Sequence, residues 1–434
     1  FFPTLKFRAS YGDLGNQNVG YFSFRQSLPT GLSGYLIGGD KQTVITGSPI
    51  LRVDPANYTW ERVSTLNFGG DLGVLKDRVT LGFDYYIRDT KGMLTEGEEL
   101  PGVLGTTVPA QNVADLRTKG LELTLNYNDS YNVGGKPLSL SAKLILSDSR
   151  SRITRFKNDQ ELFSKFRKGQ EMGEIWGLTS DGLFKNADEI AKLDESDIIP
   201  WGALSIVPGW PKYKDLDGDG RITQGLTRKD PKDLSIIGNT TPRYRIGFNL
   251  NADWNGFDFS AVLQGVLKGD YYPRHYLYWG PYQQPYANVY PWNLDYYRGQ
   301  ADSDQQRAKH SQSYIAAGLA DANTDAKFPV LQSWLADNNY GSGLDLAQTK
   351  YLLSAAYLRI KNITIGYSLP SAMLQKHKIS RVRLFASGEN LFEFSELKKY
   401  FDPEVVSNSS TFNTSNGFSY PFQRKFAFGV NVEF

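Results

Sequence analysis

The chain has 434 residues, too many for one ordinary core, and its 48 Lys plus Arg against 46 Asp plus Glu offer no electrostatic footprint for nucleic acid. Aromatic residues make up 14%, glycine fills 42 positions and cysteine none, so strands and turns are favoured over helices, and disulfides, thiolate nucleophiles and Cys-ligated zinc are excluded. No run of about 18 apolar residues occurs, which excludes a transmembrane helix but not a membrane crossed by strands of about 10 residues.

Taken in order, two-residue alternation predicts about ten strands of that length. Leu5, Phe7, Ala9 and Tyr11 alternate with Lys6, Arg8 and Ser10. Leu66, Phe68, Leu72 and Val74 follow, then Val79, Leu81, Phe83, Tyr85 and Ile87 against Thr80, Gly82, Asp84, Tyr86 and Arg88. Leu121 to Tyr127 and Leu138 to Leu146 form the next pair, and Tyr244 to Trp254 with Phe257 to Leu263 another. Tyr357 to Tyr367, Arg381 to Asn390 and Phe422 to Phe434 complete the set, the first of these changing phase near Lys361 and Asn362 as a bulge would.

The connections alternate in length. Lys76 and Asp77, residues 128 to 137, Asn255 and Gly256, and residues 369 to 380 are short; 89 to 118, 149 to 241, 268 to 355 and 392 to 421 are long. Outer-membrane barrels keep this parity, with short turns on the periplasmic side and long loops outside. It also fixes direction, and strands running toward the short side end on Tyr127, Trp254, Tyr367 and Phe434, all in the apolar phase where an interfacial girdle belongs. The predicted fold class is therefore all-β: a transmembrane antiparallel β-barrel, represented here by about ten strands of a larger plugged barrel of about 22. The polar phase, including Arg88, Lys143, Arg245, Asn249, Asn251, Asp253, Asp258 and Gln264, would wet the lumen.

Several segments resemble the SusC/RagA family of TonB-dependent outer-membrane transporters of Bacteroidetes. They include Leu5-Lys-Phe-Arg-Ala-Ser-Tyr-Gly-Asp-Leu-Gly-Asn-Gln17, Asn67-Phe-Gly-Gly-Asp-Leu-Gly73, Lys119-Gly-Leu-Glu122, Asp217-Gly-Asp-Gly-Arg-Ile222, Tyr357-Leu-Arg-Ile-Lys-Asn-Ile363, Gly388-Glu-Asn-Leu-Phe392 and Asp402-Pro-Glu404. The resemblance spans essentially the whole chain. It implies an outer-membrane importer of an oligosaccharide or an oligopeptide, covered by a SusD-like surface lipoprotein and energised through TonB. It further implies that residues 1–434 are the C-terminal portion of the barrel, with plug domain, TonB box and signal peptide outside this chain. The competing class is a soluble, secreted multi-sheet carbohydrate-binding adhesin whose strands hide their apolar faces internally.

Two constellations could carry binding. Asp215, Asp217 and Asp219, with Gly220, match the start of an EF-hand loop for Ca2+, but Leu226 stands at the twelfth position, so another ligand such as Asp230 or Asp233 is required. Between Gly269 and Gln300 lies a proline-stiffened cluster of rings, from which Tyr276, Tyr278, Trp279, Tyr282, Tyr286 and Trp292 are predicted to contact ligand or lid; the alternative is a loop that packs its own rings. No catalytic residues are predicted. His275, His310 and His377 are scattered, no strained Gly-x-Ser-x-Gly elbow occurs, and carboxylate pairs such as Glu98 and Glu99 read as solvated loop charges.

Overall fold

The computed structural model describes residues 2–16, 30–36, 42–46, 59–97, 103, 108, 110–193, 206–274, 276–282, 287–331, 344, 346–375, 378–406 and 420–434. Alternating sequence has become long antiparallel strands: β1 (Thr4–Asn16), β2 (Glu61–Val74), β3 (Val79–Glu96), β4 (Ala110–Val133), β5 (Lys136–Arg155), β6 (Arg243–Trp254), β7 (Phe257–Lys268), β8 (Tyr357–Ser368), β9 (Arg381–Ser395) and β10 (Lys425–Glu433). They form one ten-stranded sheet whose hydrogen-bonded neighbours follow chain order from β1 to β10, with β1 and β10 as its edges. No helix among the described residues is long and apolar enough to cross a membrane. The chain divides into two compact units, Phe1–Leu125 with Ser147–Met172, and Asn126–Leu146 with Gly173–Phe434.

In the first unit, Leu5, Phe7 and Tyr11 lie opposite Leu72, Gly70 and Leu66, which in turn face Leu81, Phe83 and Ile87. Directly opposed residues share a face, so one side of this sheet is a continuous apolar surface. The other side is charged: Arg8 bridges Asp71 and Asp84, at 3.0 Å each. A separate short hairpin pairs Thr30–Leu36 with Gln42–Thr46.

The second unit repeats the rule. Trp254, Phe257, Tyr367, Leu384 and Val430 form one row across five strands, and Ala252, Phe259, Ile365, Ala386 and Phe428 form the next. On the opposite face the row is Asn251, Ser260, Thr364, Ser387 and Ala427, and Arg383 grips Asp258 through two hydrogen bonds of 2.8 and 2.5 Å. No second sheet covers the apolar rows among the described residues: Ile365 is 54% and Val430 59% exposed, and Leu123 and Phe248 are only partly buried. The soluble adhesin required a dry interior there. Each such side chain left in water forgoes about 2 kcal/mol of burial, so rows of this length fit a hydrocarbon surround.

The tight turns follow from local chemistry. Gly134 and Gly135 both have positive φ, as do Asn255 and Gly256, the geometry that matches strand twist in a two-residue hairpin. The short connection predicted over 128 to 137 is therefore tighter than the sequence suggested, because β4 and β5 continue to Val133 and Lys136. The bulge is where the phase change put it: pairing with β9 skips a residue between Ile360 and Asn362, and pairing with β7 shifts between Val262 and Leu263. At the short-turn end, Trp254 Nε1 donates to the Val133 carbonyl at 3.2 Å, and the Phe257 and Tyr367 rings meet at 4.5 Å.

Candidate functional site

The long connections of the second unit fold onto one another instead of standing as separate loops. Glu174–Leu178 pairs with Leu234–Asn239, Ser180–Leu183 with Pro211–Tyr213, and Asp270–Tyr271 with Leu353–Ser354. The connection after β5 is tied to the one after β7: Leu178 N–H donates to the Ala347 carbonyl at 2.9 Å, Tyr297 Oη to the Lys185 carbonyl at 2.8 Å, and Gln348 Nε2 to Tyr213 Oη at 2.9 Å.

At the centre lies the ring cluster. Tyr278 and Trp279 are 0% exposed, and Tyr282 is 4% exposed, packed with Tyr271, Phe328, Tyr351 and Leu397. Trp279 stands edge-on to Tyr278 and to Tyr351, at 5.0 and 4.8 Å between ring centroids. Two polar edges are used internally, Trp279 Nε1 donating to the Pro273 carbonyl at 2.8 Å and Tyr282 Oη to the Pro329 carbonyl at 2.7 Å, while the Tyr278 and Tyr351 hydroxyls have no hydrogen-bond partner among the described residues. The structure thus differs from the ligand-contact expectation for Tyr278, Trp279 and Tyr282, which are the hydrophobic core of this loop body. Rings with polar edges suit a ligand or a buried carbonyl equally well, and here carbonyls take those of Trp279 and Tyr282. Burial pushes the Tyr278, Tyr282 and Tyr351 phenols well above their ordinary values.

Trp292 occupies a different position. It is half-buried, stacked on Tyr290 at 5.0 Å and 10° between planes, and its Nε1 donates to the Tyr278 carbonyl at 3.0 Å. Val289 (57% exposed) and Leu294 (40%) flank this pair, so the half-buried Tyr290 and Trp292 lie at the margin of the loop body. Tyr286 lies outside the described residues, as do the Tyr276 side chain, His275, His377, Glu98 and Glu99.

The acidic turn is built by its own backbone. Asp215 accepts from the N–H groups of Gly218 (2.6 Å) and Gly220 (2.8 Å), two residues at positive φ. These donors hold the Asp215 carboxyl below its ordinary range. Buried Asp233 accepts from Leu216 N–H and Thr223 N–H at 2.7 and 2.6 Å. One carboxylate oxygen each of Asp215, Asp217 and Asp233 lies within 4.8 Å of the others, so these three are the residues that could hold a cation. Asp219, placed in the set by spacing, accepts instead from Arg221 N–H at 2.9 Å, and Asp230 stands 3.8 Å from Lys232. Lys232 Nζ also reaches Asp217 at 3.5 Å, and the neighbouring acids, Asp230 first, raise its pKa.

A third constellation escaped the linear reading. Arg359, 2% exposed on β8, binds Glu393 of β9, Asp402 at 2.7 Å and Glu404 at 2.8 Å, while Lys361 reaches Glu404 at 3.1 Å. Phe422 lies over both cations, 5.2 Å from Arg359 and 4.4 Å from Lys361, and its N–H donates to Asp402 at 3.0 Å. The motifs containing Arg359 and Asp402-Pro-Glu404 are thereby one knot, joined by Glu393, which directly follows the Gly388 to Phe392 motif. Their residues were visible in the sequence; that they converge was not, since 43 positions separate Arg359 from Asp402.

Comparison with known proteins places this geometry. The chain is 26% identical over 454 residues to TonB-dependent receptor P3 of Formosa agariphila, an alignment covering 99% of this chain and 39% of that protein. With TonB-dependent receptor SusC of Bacteroides thetaiotaomicron the identity is 24%, covering 99% and 37%. The RagAB peptide importer in its closed-closed state superposes with a TM-score of 0.68 at 19% identity, covering 99% of this chain and 41% of that one. The chain is SusC/RagA-like. No protein-family profile matches it. The RagAB peptide transporter gives a TM-score of 0.65 at the same 19% identity. This SusC/RagA-like chain spans about two fifths of the length of the curated relatives it matches. The curated relatives are named TonB-dependent receptors, and the solved structures a peptide transporter and importer.

Proposed function

We propose that this chain is the C-terminal barrel portion of a SusC-like TonB-dependent importer in the outer membrane. A plug domain and TonB box outside this chain would close the pore and receive energy, and a SusD-like surface lipoprotein would deliver the nutrient. The observation that carries the reading is the set of uncovered apolar rows crossing five strands, with polar rows behind them. The cargo is an oligosaccharide or an oligopeptide. The RagAB structures are described as peptide transporters and importers, which supports the oligopeptide, and the glycan that the sequence resemblance implies stands beside it.

The half-buried stack of Tyr290 and Trp292, flanked by exposed Val289 and Leu294, is the surface we assign to ligand or lid contact, taking over from the buried rings. In the acidic turn, the clustering of three carboxylate oxygens supports Ca2+ on Asp215, Asp217 and Asp233, where it would stiffen an external loop. The test of the main reading is fractionation of the intact protein followed by uptake. It should partition with the outer membrane and need detergent, and its deletion should abolish growth on one class of oligomer. Recovery in the aqueous fraction would refute the membrane assignment. Calorimetric titration with Ca2+ should show one site that is lost in Asp233→Asn.

A further inference from the structure

The apolar side of the first unit changes character part-way along its strands. Its rows are apolar through Tyr11, Leu66 and Ile87; two residues further the same alternation brings Asp13, Ser64 and Asp89, and then Arg62 directly opposite Lys91. On β4 the phase that carries Leu123 and Leu121 continues into Lys119 and Arg117, and on β5 the phase of Leu144 and Leu146 continues through Asp148 into Arg150 and Arg152. Charges here are on the lipid side, not in the lumen.

Their height can be reckoned. Ten residues separate Val79 from Asp89, and ten separate Tyr127 from Arg117. At about 3.4 Å per residue and a tilt of about 40°, ten residues rise about 26 Å, matching the roughly 25 Å apolar band of an outer-membrane barrel. Two exposed aromatics mark the same level: Tyr11 (65%), whose Oη donates to Asp13 at 3.1 Å, and Trp60 (57%) at the head of β2. Amphipathic rings settle at the boundary between hydrocarbon and headgroups.

The collar carries a positive surplus. Arg62, Lys91, Arg117, Lys119, Arg150 and Arg152 outnumber Asp13, Asp89, Asp148 and Glu171 by two. Arg62 binds Asp13 at 2.7 Å, Arg117 grips Asp89 at 2.6 and 2.8 Å, and Arg152 and Arg150 approach Glu171 at 3.3 and 3.9 Å. Nearby Asp115 is taken by Arg155 in a bidentate pair of 2.7 and 2.8 Å. The arginines are about half exposed, and each has five N–H donors, more than its carboxylate uses. Arg62 opposite Lys91 is a like-charge cross-strand pair, with Asp13 on Arg62 and Asp89 beside Lys91.

We propose that this collar binds the phosphate groups of a phosphorylated glycolipid in the outer leaflet. The inference rests on the outer-membrane reading above, and its test separates the two. The full-length transporter is reconstituted into nanodiscs of phosphatidylcholine alone, or with added diphosphoryl or dephosphorylated lipid A, and retained lipid is counted by native mass spectrometry. The wild type should retain diphosphoryl lipid A at least fivefold over the dephosphorylated form. The K91Q/K119Q/R150Q variant should lose that preference while keeping heat-modifiable gel mobility and an unchanged Tm in phosphatidylcholine. Equal retention of both lipids by the wild type, undiminished preference in the variant, or displacement of lipid A by millimolar inorganic phosphate would overturn the proposal alone. Failure of the wild type to enter any nanodisc would overturn the outer-membrane reading with it.

Discussion

Trp279 and Tyr351 show how a ring is read once its surroundings are known. Trp279 is fully buried, with its N–H on a carbonyl, so Trp279→Ala should cost about 3 to 5 kcal/mol of loop-body stability, measured by chemical unfolding, before any effect on uptake. Tyr351 Oη has no hydrogen-bond partner among the described residues, whereas Tyr282 Oη does. Tyr351→Phe should therefore leave stability unchanged or raise it, while Tyr282→Phe should lower it by about 1 kcal/mol, since a lone carbonyl would remain. At Asp215 the prediction concerns pH. A depressed carboxyl contributes stability above its unfolded pKa, near 4, and loses it as pH falls through the lower folded value. The acidic turn should hold to the bottom of the ordinary carboxylate range and loosen below it, seen as rising amide exchange at Gly218 and Gly220; Asp215→Asn should abolish the step.

Among elements, the strands were legible and the loop body was not. Alternation located all ten sheet strands, and even the bulge at Lys361, because each strand separates a uniform apolar surface from a polar one and the period is 2. It stopped short at the long-loop ends, where β3 to β5 continue for many residues with charges in the apolar phase, as at Asp89 and Arg117. The small strands of the loop body span only 2 to 6 residues, too few to show a period, and they pair across long separations. The ring cluster was noticed but its orientation was beyond a linear reading. The Arg359 knot joins β8, β9 and the segment after β9. Arg359→Met would leave three carboxylates without their shared partner, so it should destabilise this region by about 3 to 5 kcal/mol, while Lys361→Met should cost clearly less, the difference being read by urea unfolding of both variants.

In each of its two units, the sheet has one apolar side and one polar side. Charge placed in an apolar row should therefore damage assembly far more than charge in a polar row. Ile365→Lys, one row in from the girdle residue Tyr367, is expected to destabilise folding into bilayers by about 1 to 2 kcal/mol, and Thr364→Lys by clearly less, measured by equilibrium refolding into lipid. Equal effects would mean that lipid does not meet the Ile365 side.

The flanking strands β1 and β10 carry a further implication. Among the described residues each has a partner on one side only, which leaves a row of peptide groups along 13 residues of β1 and 9 of β10 open to whatever lies beside them. In hydrocarbon every unmatched amide costs several kcal/mol, so neither flank can meet acyl chains bare. On the barrel reading proposed above, both flanks would have to be paired before the sheet leaves the insertion machinery, and a stall there would produce sticky ribbons that join edge to edge.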